Sequence, residues 1–216
     1  MSLLLRAPEP VGHWTWDVDI DDEHPLERAV ALIPPLARAL GSHRLLDLTR
    51  VQVTWHVSGK GNTRFSSLIS VYKEDVGDPG RLVRLIEDAR PSALPDAAPG
   101  RIDLVGSGTW VDADGRERTE QDLALVTLQV NKFWLHLTVE VQHDIWSWFD
   151  FSGTPHPDVH QKNAPRLADA LREIERVMGV ETEPGDPTFF GTSEKYGITT
   201  PTTKDEGAYF DARIRL

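Results

Sequence analysis

A dense run of acidic residues near the amino end is the sharpest chemical feature of the sequence. Within eleven residues it holds six carboxylate side chains and no lysine, and its members are Asp17, Asp19, Asp21, Asp22, Glu23 and Glu27. Alternate carboxylates can open a calcium-binding loop, but Asp22 stands where that loop needs glycine and Arg28 where it needs glutamate. We therefore expect no metal site here. The run predicts either a solvated segment leading into a helix or an acidic surface for a basic protein partner.

Two histidines and a glutamate lie in polar rows of predicted strands. His136 and Glu140 alternate with apolar residues on one strongly patterned strand, and His56 lies in a similar row on an earlier strand. If the two strands were neighbours, these side chains could converge for metal binding or general acid-base chemistry. However, positions i and i+4 on a strand lie about 13 Å apart, so His136 and Glu140 share one metal only if the strand bulges. The simpler interpretation is the solvated face of a half-buried sheet.

A second pair of histidines, His156 and His160, has the spacing of a metal-binding pair on a helix. Pro155 and Pro157 flank the first of them, and a residue before proline favours extended backbone. We therefore predict a connecting loop at this point and no metal site.

Aromatic residues are concentrated just after the predicted sheet, in the segment 145–151, and the chain has seven tryptophans. Most large aromatic side chains of a protein are buried. Trp146 and Trp148 nevertheless follow one another closely at a strand end, where complete burial of both is difficult. They are candidates for a recognition surface or the rim of a pocket.

No complete catalytic signature is present, since the sequence lacks GxSxG, GxxxxGK[ST], HExxH and a dinucleotide-binding GxGxxG. We therefore expect a non-catalytic binding protein with no cofactor, of the kind represented by immunity proteins that neutralise basic protein toxins. This is an interpretation by class and not by motif. The predicted partner-binding residues are Asp17, Asp19, Asp21, Asp22, Glu23, Trp146 and Trp148.

The alternative is an enzyme or a small-molecule-binding protein with a polar pocket on the sheet face around His136 and Glu140. Such a pocket would lie between that face and the segment 143–163. Its candidate polar groups are His56, His136, Glu140, His143 and Asp144, with Trp134, Trp146 and Trp148 as walls. A structure separates the two hypotheses, because a pocket requires these groups around one concavity.

Charge and composition limit the classes of partner. The net charge of −11, from 34 acidic and 23 basic side chains, disfavours nucleic acid and anionic membranes. The absence of cysteine excludes disulfides, thiolate metal sites and cysteine nucleophiles. The apolar run Leu3 to Leu5 is too short for a signal-peptide core, so we expect a cytoplasmic protein.

Periodicity predicts an α+β fold in a single domain over 1–216. Its centre is an antiparallel sheet of about five to seven strands, with a meander at 101–143 and helices packed on one face. One helix is predicted over 25–40, with a break at Pro34 and Pro35. Another is predicted over 163–178, with Asn163 as its N-cap. In the strand before position 143, one side of the strand is expected to form a buried row of the alternate residues Phe133, Leu135, Leu137, Val139 and Val141.

Overall fold

The computed structural model describes residues 4–20, 24–59 and 61–199, and it is an α+β protein built on a large antiparallel sheet. The strands are β1 (Gly12–Asp19), β2 (Asp47–Val57), β3 (Gly61–Ser70), β4 (Ala98–Val111), β5 (Glu117–Gln121), β6 (Leu125–Val130), β7 (Trp134–Val141), β8 (Glu183–Pro184), β9 (Thr192–Glu194) and β10 (Gly197–Thr199). The helices are α1 (Pro25–Ser42), α2 (Lys73–Val76), α3 (Pro79–Asp88) and α4 (Pro157–Met178), with a 3₁₀ turn at Asp144–Trp146.

The main sheet has eight strands, against the five to seven predicted. Its order is β3-β2-β4-β6-β7-β1-β8, and β5 pairs with the end of β4. The meander at 101–143 is confirmed, although its middle part is two strands, β5 and β6, separated by a turn at Asp122 with a φ of 52°. The strand order places β1 beside β7, which follows it in the chain by more than a hundred residues. Local sequence patterns do not predict such a pairing.

Burial alternates strictly along the central strands, because one face of the sheet carries the helices and the other does not. In β4, β6 and β7 the inward residues are buried and the outward residues remain partly exposed. Helices α1 and α4 contact the sheet, and α1 also packs against α3 and α4. Tryptophans 14, 16 and 55 are fully buried in this core, which their alternation with polar residues favours. The outward face is thereby left without a covering layer of helices.

The predicted break in the first helix is wrong, because α1 runs unbroken through Pro34 and Pro35. The two prolines remove two backbone donors, which lowers the stability of the helix at this point. The flanking residues Ile33 and Leu36 are completely buried, so their packing holds the helix together across the prolines.

Helix α4 begins six residues earlier than predicted, at Pro157, which occupies its first turn as proline readily does. Asn163 is therefore not an N-cap but a fully buried residue in the second turn. Its side chain pairs with the backbone of Val111 in β4: Oδ1 accepts from the Val111 N–H at 2.9 Å, and Nδ2 donates to the Val111 carbonyl at 2.8 Å. Arg166 adds hydrogen bonds to the carbonyls of His43 and Thr109. These contacts fix α4 across the end of β4.

Two glycines in β4 allow the close approach of the chain that enters β2. A Cβ atom at Gly106 would lie 2.0 Å from the Asp47 carbonyl oxygen, and one at Gly108 would lie 2.5 Å from that of Leu45. The pairing of β2 with β4 is irregular at this level, between Leu48 and Arg50. Gly106 lies opposite Leu48 at this irregularity, and glycine within a strand is common at such bulges.

One predicted member of the buried row is exposed. Phe133 lies before β7, which begins at Trp134, and its side chain is 66% exposed. The rest of the row is buried as predicted, from Leu135 to Val141. None of the described helices is both long and apolar enough to cross a membrane.

Replacement of Asn163 by leucine should lower the free energy of unfolding by about 3 kcal/mol, because two backbone groups of Val111 lose their partners in a buried site. Chemical denaturation measures this change. The exposed Gln161→Ala on the same helix is the control and should change the free energy by less than about 0.5 kcal/mol. An equally small effect at Asn163 would contradict the role assigned to its amide.

Candidate functional site

The face of the sheet that carries no helices presents cross-strand rows of polar side chains. The strand registers place Thr15 of β1 beside Thr138 of β7, and Thr138 beside Thr127 of β6. The same row continues through Asp103 of β4 to Gln52 of β2. We call this outward surface the open face. Its threonine row was not anticipated from the sequence, because it depends on the strand order.

A shallow depression of about 370 Å³ lies on the open face. Arg101 Nε donates to Asp103 Oδ1 at 2.8 Å, and the Thr127 hydroxyl donates to the same oxygen at 2.7 Å. Asp103 is therefore held by two donors. The lining residues are Gln52, Arg101, Asp103, Leu104, Val105, Asp122, Leu125, Val126, Thr127, Gln129, Thr138 and Glu140.

The hypothetical convergence of His56, His136 and Glu140 is wrong. His56 lies on β2, which is separated from β7 by β4 and β6, and three strand spacings amount to about 14 Å. His136 is directed elsewhere, since its Nδ1 lies 2.7 Å from Asp17 Oδ1 on the neighbouring β1. Of the three residues, Glu140 alone lines the depression.

An acidic and aromatic surface occupies one end of the open face, where β1 and β7 lie side by side. Asp19 is paired in register with Trp134, and Asp17 with His136. Both aspartates are exposed, Trp134 is 38% exposed, and Phe133 immediately precedes it. We call Asp17, Asp19, Phe133 and Trp134 the acidic–aromatic surface. It combines carboxylates with large apolar side chains, the composition that favours protein recognition.

The other residues predicted to bind a partner are placed differently. Asp21, Asp22 and Glu23 lie outside the described residues. Trp146 is 1% exposed and belongs to the core, so its side chain is not available at the surface. Trp148 is half-buried, and its ring packs edge-on against His160. The exposed aromatic residues near the acidic run are instead Phe133 and Trp134, and only the outward direction of Trp134 followed from its position in the strand.

His143 and Asp144 are buried, at 2% and 0% exposure, on the side of the sheet covered by helices. The 3₁₀ turn that holds Asp144 packs against α4, so these residues do not share a concavity with Glu140. The Leu5 N–H donates to Asp144 Oδ1 at 3.2 Å. Within the described part of the protein, Asp144 Oδ2 and His143 Nδ1 have no hydrogen-bond partner. The pocket that the sequence suggested between the open face and segment 143–163 is therefore not assembled.

Burial controls the ionisation of this interior pair. Removal from water raises the pKa of Asp144 to about 7, and the nearby charge of Asp150 acts in the same direction. Removal from water also lowers the pKa of His143 to about 4, helped by the positive charge of Arg6. Both side chains are thus neutral in the folded protein over a wide range of acidic pH.

The predicted loop around His156 and His160 is instead the start of α4. His156 is the residue before the helix, and its Nε2 lies 2.9 Å from the Ser147 carbonyl oxygen. Burial lowers the pKa of both histidines. In the described ranges of the chain, no three His, Asp or Glu side chains are grouped in a way that could hold a metal ion.

Comparisons with known proteins give no functional assignment: no protein-family model, curated protein or solved structure matches the chain significantly.

Replacing Asp144 and replacing His143 should change the pH dependence of stability in opposite directions. Between pH about 4 and 6.5, Asp144 is protonated when folded and ionised when unfolded, so it lowers the free energy of unfolding as pH rises. His143 is neutral when folded and protonated when unfolded, so it raises that free energy as pH rises. The two dependences cancel in the wild type.

The difference in unfolding free energy, variant minus wild type, should therefore rise with pH for Asp144→Asn and fall with pH for His143→Gln. Each slope is at most about 1.4 kcal/mol per pH unit, the value for one proton. Denaturant titrations across this pH range measure both, and each variant is the control for the other. Differences that stay constant with pH in both variants would contradict the assigned protonation states.

Proposed function

We propose that this chain is a non-catalytic binding protein of the cytoplasm that docks a basic protein, in the manner of an immunity-type inhibitor of a basic toxin. The observation that supports this most directly is the acidic–aromatic surface. There Asp17 and Asp19 stand exposed in β1 beside Trp134 of β7. Large aromatic side chains dominate the energy of many protein interfaces, while carboxylates at their rim select a positively charged partner.

The net charge supports the same proposal at longer range. At −11, the chain attracts a cationic protein before contact and accelerates the encounter at low ionic strength. Three further acids, Asp21, Asp22 and Glu23, follow the surface directly in the sequence. Because surface charge pairs are screened by salt, binding should weaken as ionic strength increases.

One cation and one histidine already contact this surface and limit how it can be used. Lys132 Nζ lies 5.9 Å from the centre of the Phe133 ring. Asp17 is engaged by His136, whereas Asp19 forms no side-chain hydrogen bond or ion pair with any residue that the structure describes. A partner's lysine or arginine would therefore meet Asp19 directly and would compete with His136 for Asp17.

Reversing Asp17 and Asp19 to lysine together should weaken binding to a basic partner about tenfold to a hundredfold, because attraction becomes repulsion at the docking surface. The probe is a basic protein or domain, sought first among the products of the genes beside this chain's own. Titration calorimetry at low and moderate salt measures the affinity. The reversal should also flatten its salt dependence.

The matched control is Glu87→Lys with Asp88→Lys, which makes the same change in net charge at exposed positions in the last turn of α3. Lysine is favourable at the end of a helix, so the control should fold normally and keep most of the affinity. Trp134→Ala, compared with the exposed Phe65→Ala on β3, tests the aromatic part of the surface. Equal losses in the reversal and its control would show that only net charge matters and would contradict a docking surface at β1 and β7.

A second candidate function, the binding of a small polar molecule, is favoured by the depression on the open face. There, hydrogen bonds connect Asp103 to Arg101 and Thr127. Glu140, two residues after Thr138 on β7, contributes a further carboxylate to the depression. A concavity of about 370 Å³ lies within the range of ligand sites. This site is separate from the acidic–aromatic surface, so the two functions can be tested independently.

A small ligand should raise the melting temperature of the wild type by a few degrees when its concentration is well above its dissociation constant, because the stabilisation grows with the logarithm of that ratio. Differential scanning fluorimetry with amino acids, sugars and nucleosides as probes measures this shift. Thr138→Lys fills the depression and should abolish this shift, while Thr63→Lys at a half-buried position on β3 should not. A shift that survives Thr138→Lys would exclude the depression as the binding site.

A further inference from the structure

The two edges of the main sheet are protected to very different degrees. At one edge lies β8, which has two residues, one of them Pro184, and short strands with proline are a common protection against strand addition. At the other edge lies β3, with ten residues from Gly61 to Ser70 and no proline. Its outer backbone groups have no strand beside them in the described part of the sheet.

The β3 edge is also where apolar side chains are exposed. Among the described residues, six large hydrophobic side chains are exposed, and three of them lie on β3 or just after it. Phe65 is 54% exposed, Leu68 55% and Tyr72 70%. Isolated exposed apolar residues are common, but their concentration along an unprotected edge strand is typical of an interaction surface.

The charge of β3 indicates which kind of protein could pair with this edge. β3 contains no Asp, Glu or Lys, and Arg64 is its single charged residue. Two copies of a chain with a net charge of −11 repel each other across most of their surfaces, and this repulsion is smallest where carboxylates are absent. A cationic protein finds no carboxylate on β3 to pair with. A second copy of the same chain is therefore the partner that fits.

The register of β3 limits the region that can pair regularly. Opposite Trp55 the pairing with β2 shifts from Thr54–Ser66 to His56–Asn62, so β3 bulges between these positions. Beyond the bulge, β3 pairs regularly with β2 from Ser66 to Ser70. Leu68 is the central residue of that regular stretch.

We propose that β3 pairs with β3 of a second copy, antiparallel and about a two-fold axis at Leu68, to form a homodimer with one continuous sheet. In this register Leu68 meets its own counterpart, Ser66 meets Ser70, and Ser67 meets Ile69. The exposed Leu68 side chain becomes covered on the open face. Strand addition at an exposed edge is a general mode of association, and a two-fold axis makes it closed.

The proposed dimer leaves the acidic–aromatic surface free. Five strand spacings separate β3 from β1, about 24 Å, so a partner protein and the second copy would not compete. Both open faces lie on the same side of the joined sheet. The short pairing buries less than a typical stable interface, so we expect the dimer to dissociate on dilution through the micromolar range.

The absence of cysteine allows a site-specific test of this register. Leu68→Cys places two thiols directly opposite each other, at the Cα separation of about 4.5–5.5 Å that a disulfide needs. Ser66→Cys, also at an exposed position, places the two thiols about 13 Å apart along the strands. Under mild oxidation, the first variant should form covalent dimers at least about tenfold faster than the second. Non-reducing electrophoresis measures both rates.

Sedimentation equilibrium of the unmodified chain provides the second measurement. Its mass should approach twice the 24.2 kDa of the chain at high concentration. Leu68→Lys should shift this equilibrium to the monomer by placing like charges face to face, whereas Gln52→Lys, its in-register neighbour on β2, should not. Equal cross-linking of the two cysteine variants, a constant monomer mass, or a mass that grows beyond the dimer would each overturn the proposal.

Discussion

The amide of Asn163 holds the architecture in place where β4 meets α4. By accepting from and donating to the backbone of Val111, this side chain acts as a strand partner from within a helix. Helix α4 is consequently fixed over one face of the sheet, and α1 packs against both α4 and the sheet. All the helical cover thus falls on one side. The opposite side remains a polar surface, and both proposed binding functions rest on this asymmetry.

The strand alternation around this contact was accessible from the sequence. The alternation of apolar and polar residues in β2 and β7 predicted both strands and the face that each residue occupies. Asn163 itself was assigned to the wrong role, because an asparagine before a helical pattern usually caps it. What local patterns cannot contain is the tertiary pairing of a side chain with a strand more than fifty residues earlier in the chain.

The candidate site was predictable to the extent that it depends on alternation. The outward direction of Trp134, His136 and Glu140 followed from their positions in the strand. The neighbours of these residues did not, because β1 reaches β7 from the other end of the fold and brings Asp17 against His136. His56 shares the outward face but lies too far away to act with them, because β4 and β6 separate β2 from β7. Trp146 was misplaced because aromatic clustering alone does not distinguish a core residue from a surface residue.

The threonine row on the open face has a consequence for conformational entropy. Thr15, Thr138 and Thr127 lie side by side on three adjacent strands, and β-branched side chains have few accessible rotamers. A molecule bound to this row would cost little side-chain conformational entropy, because these side chains are already restricted. Ordering lysine or glutamate side chains would cost more. The centre of the open face is therefore a rigid template. Selectivity for a molecule bound there would depend on the charged residues at its margins.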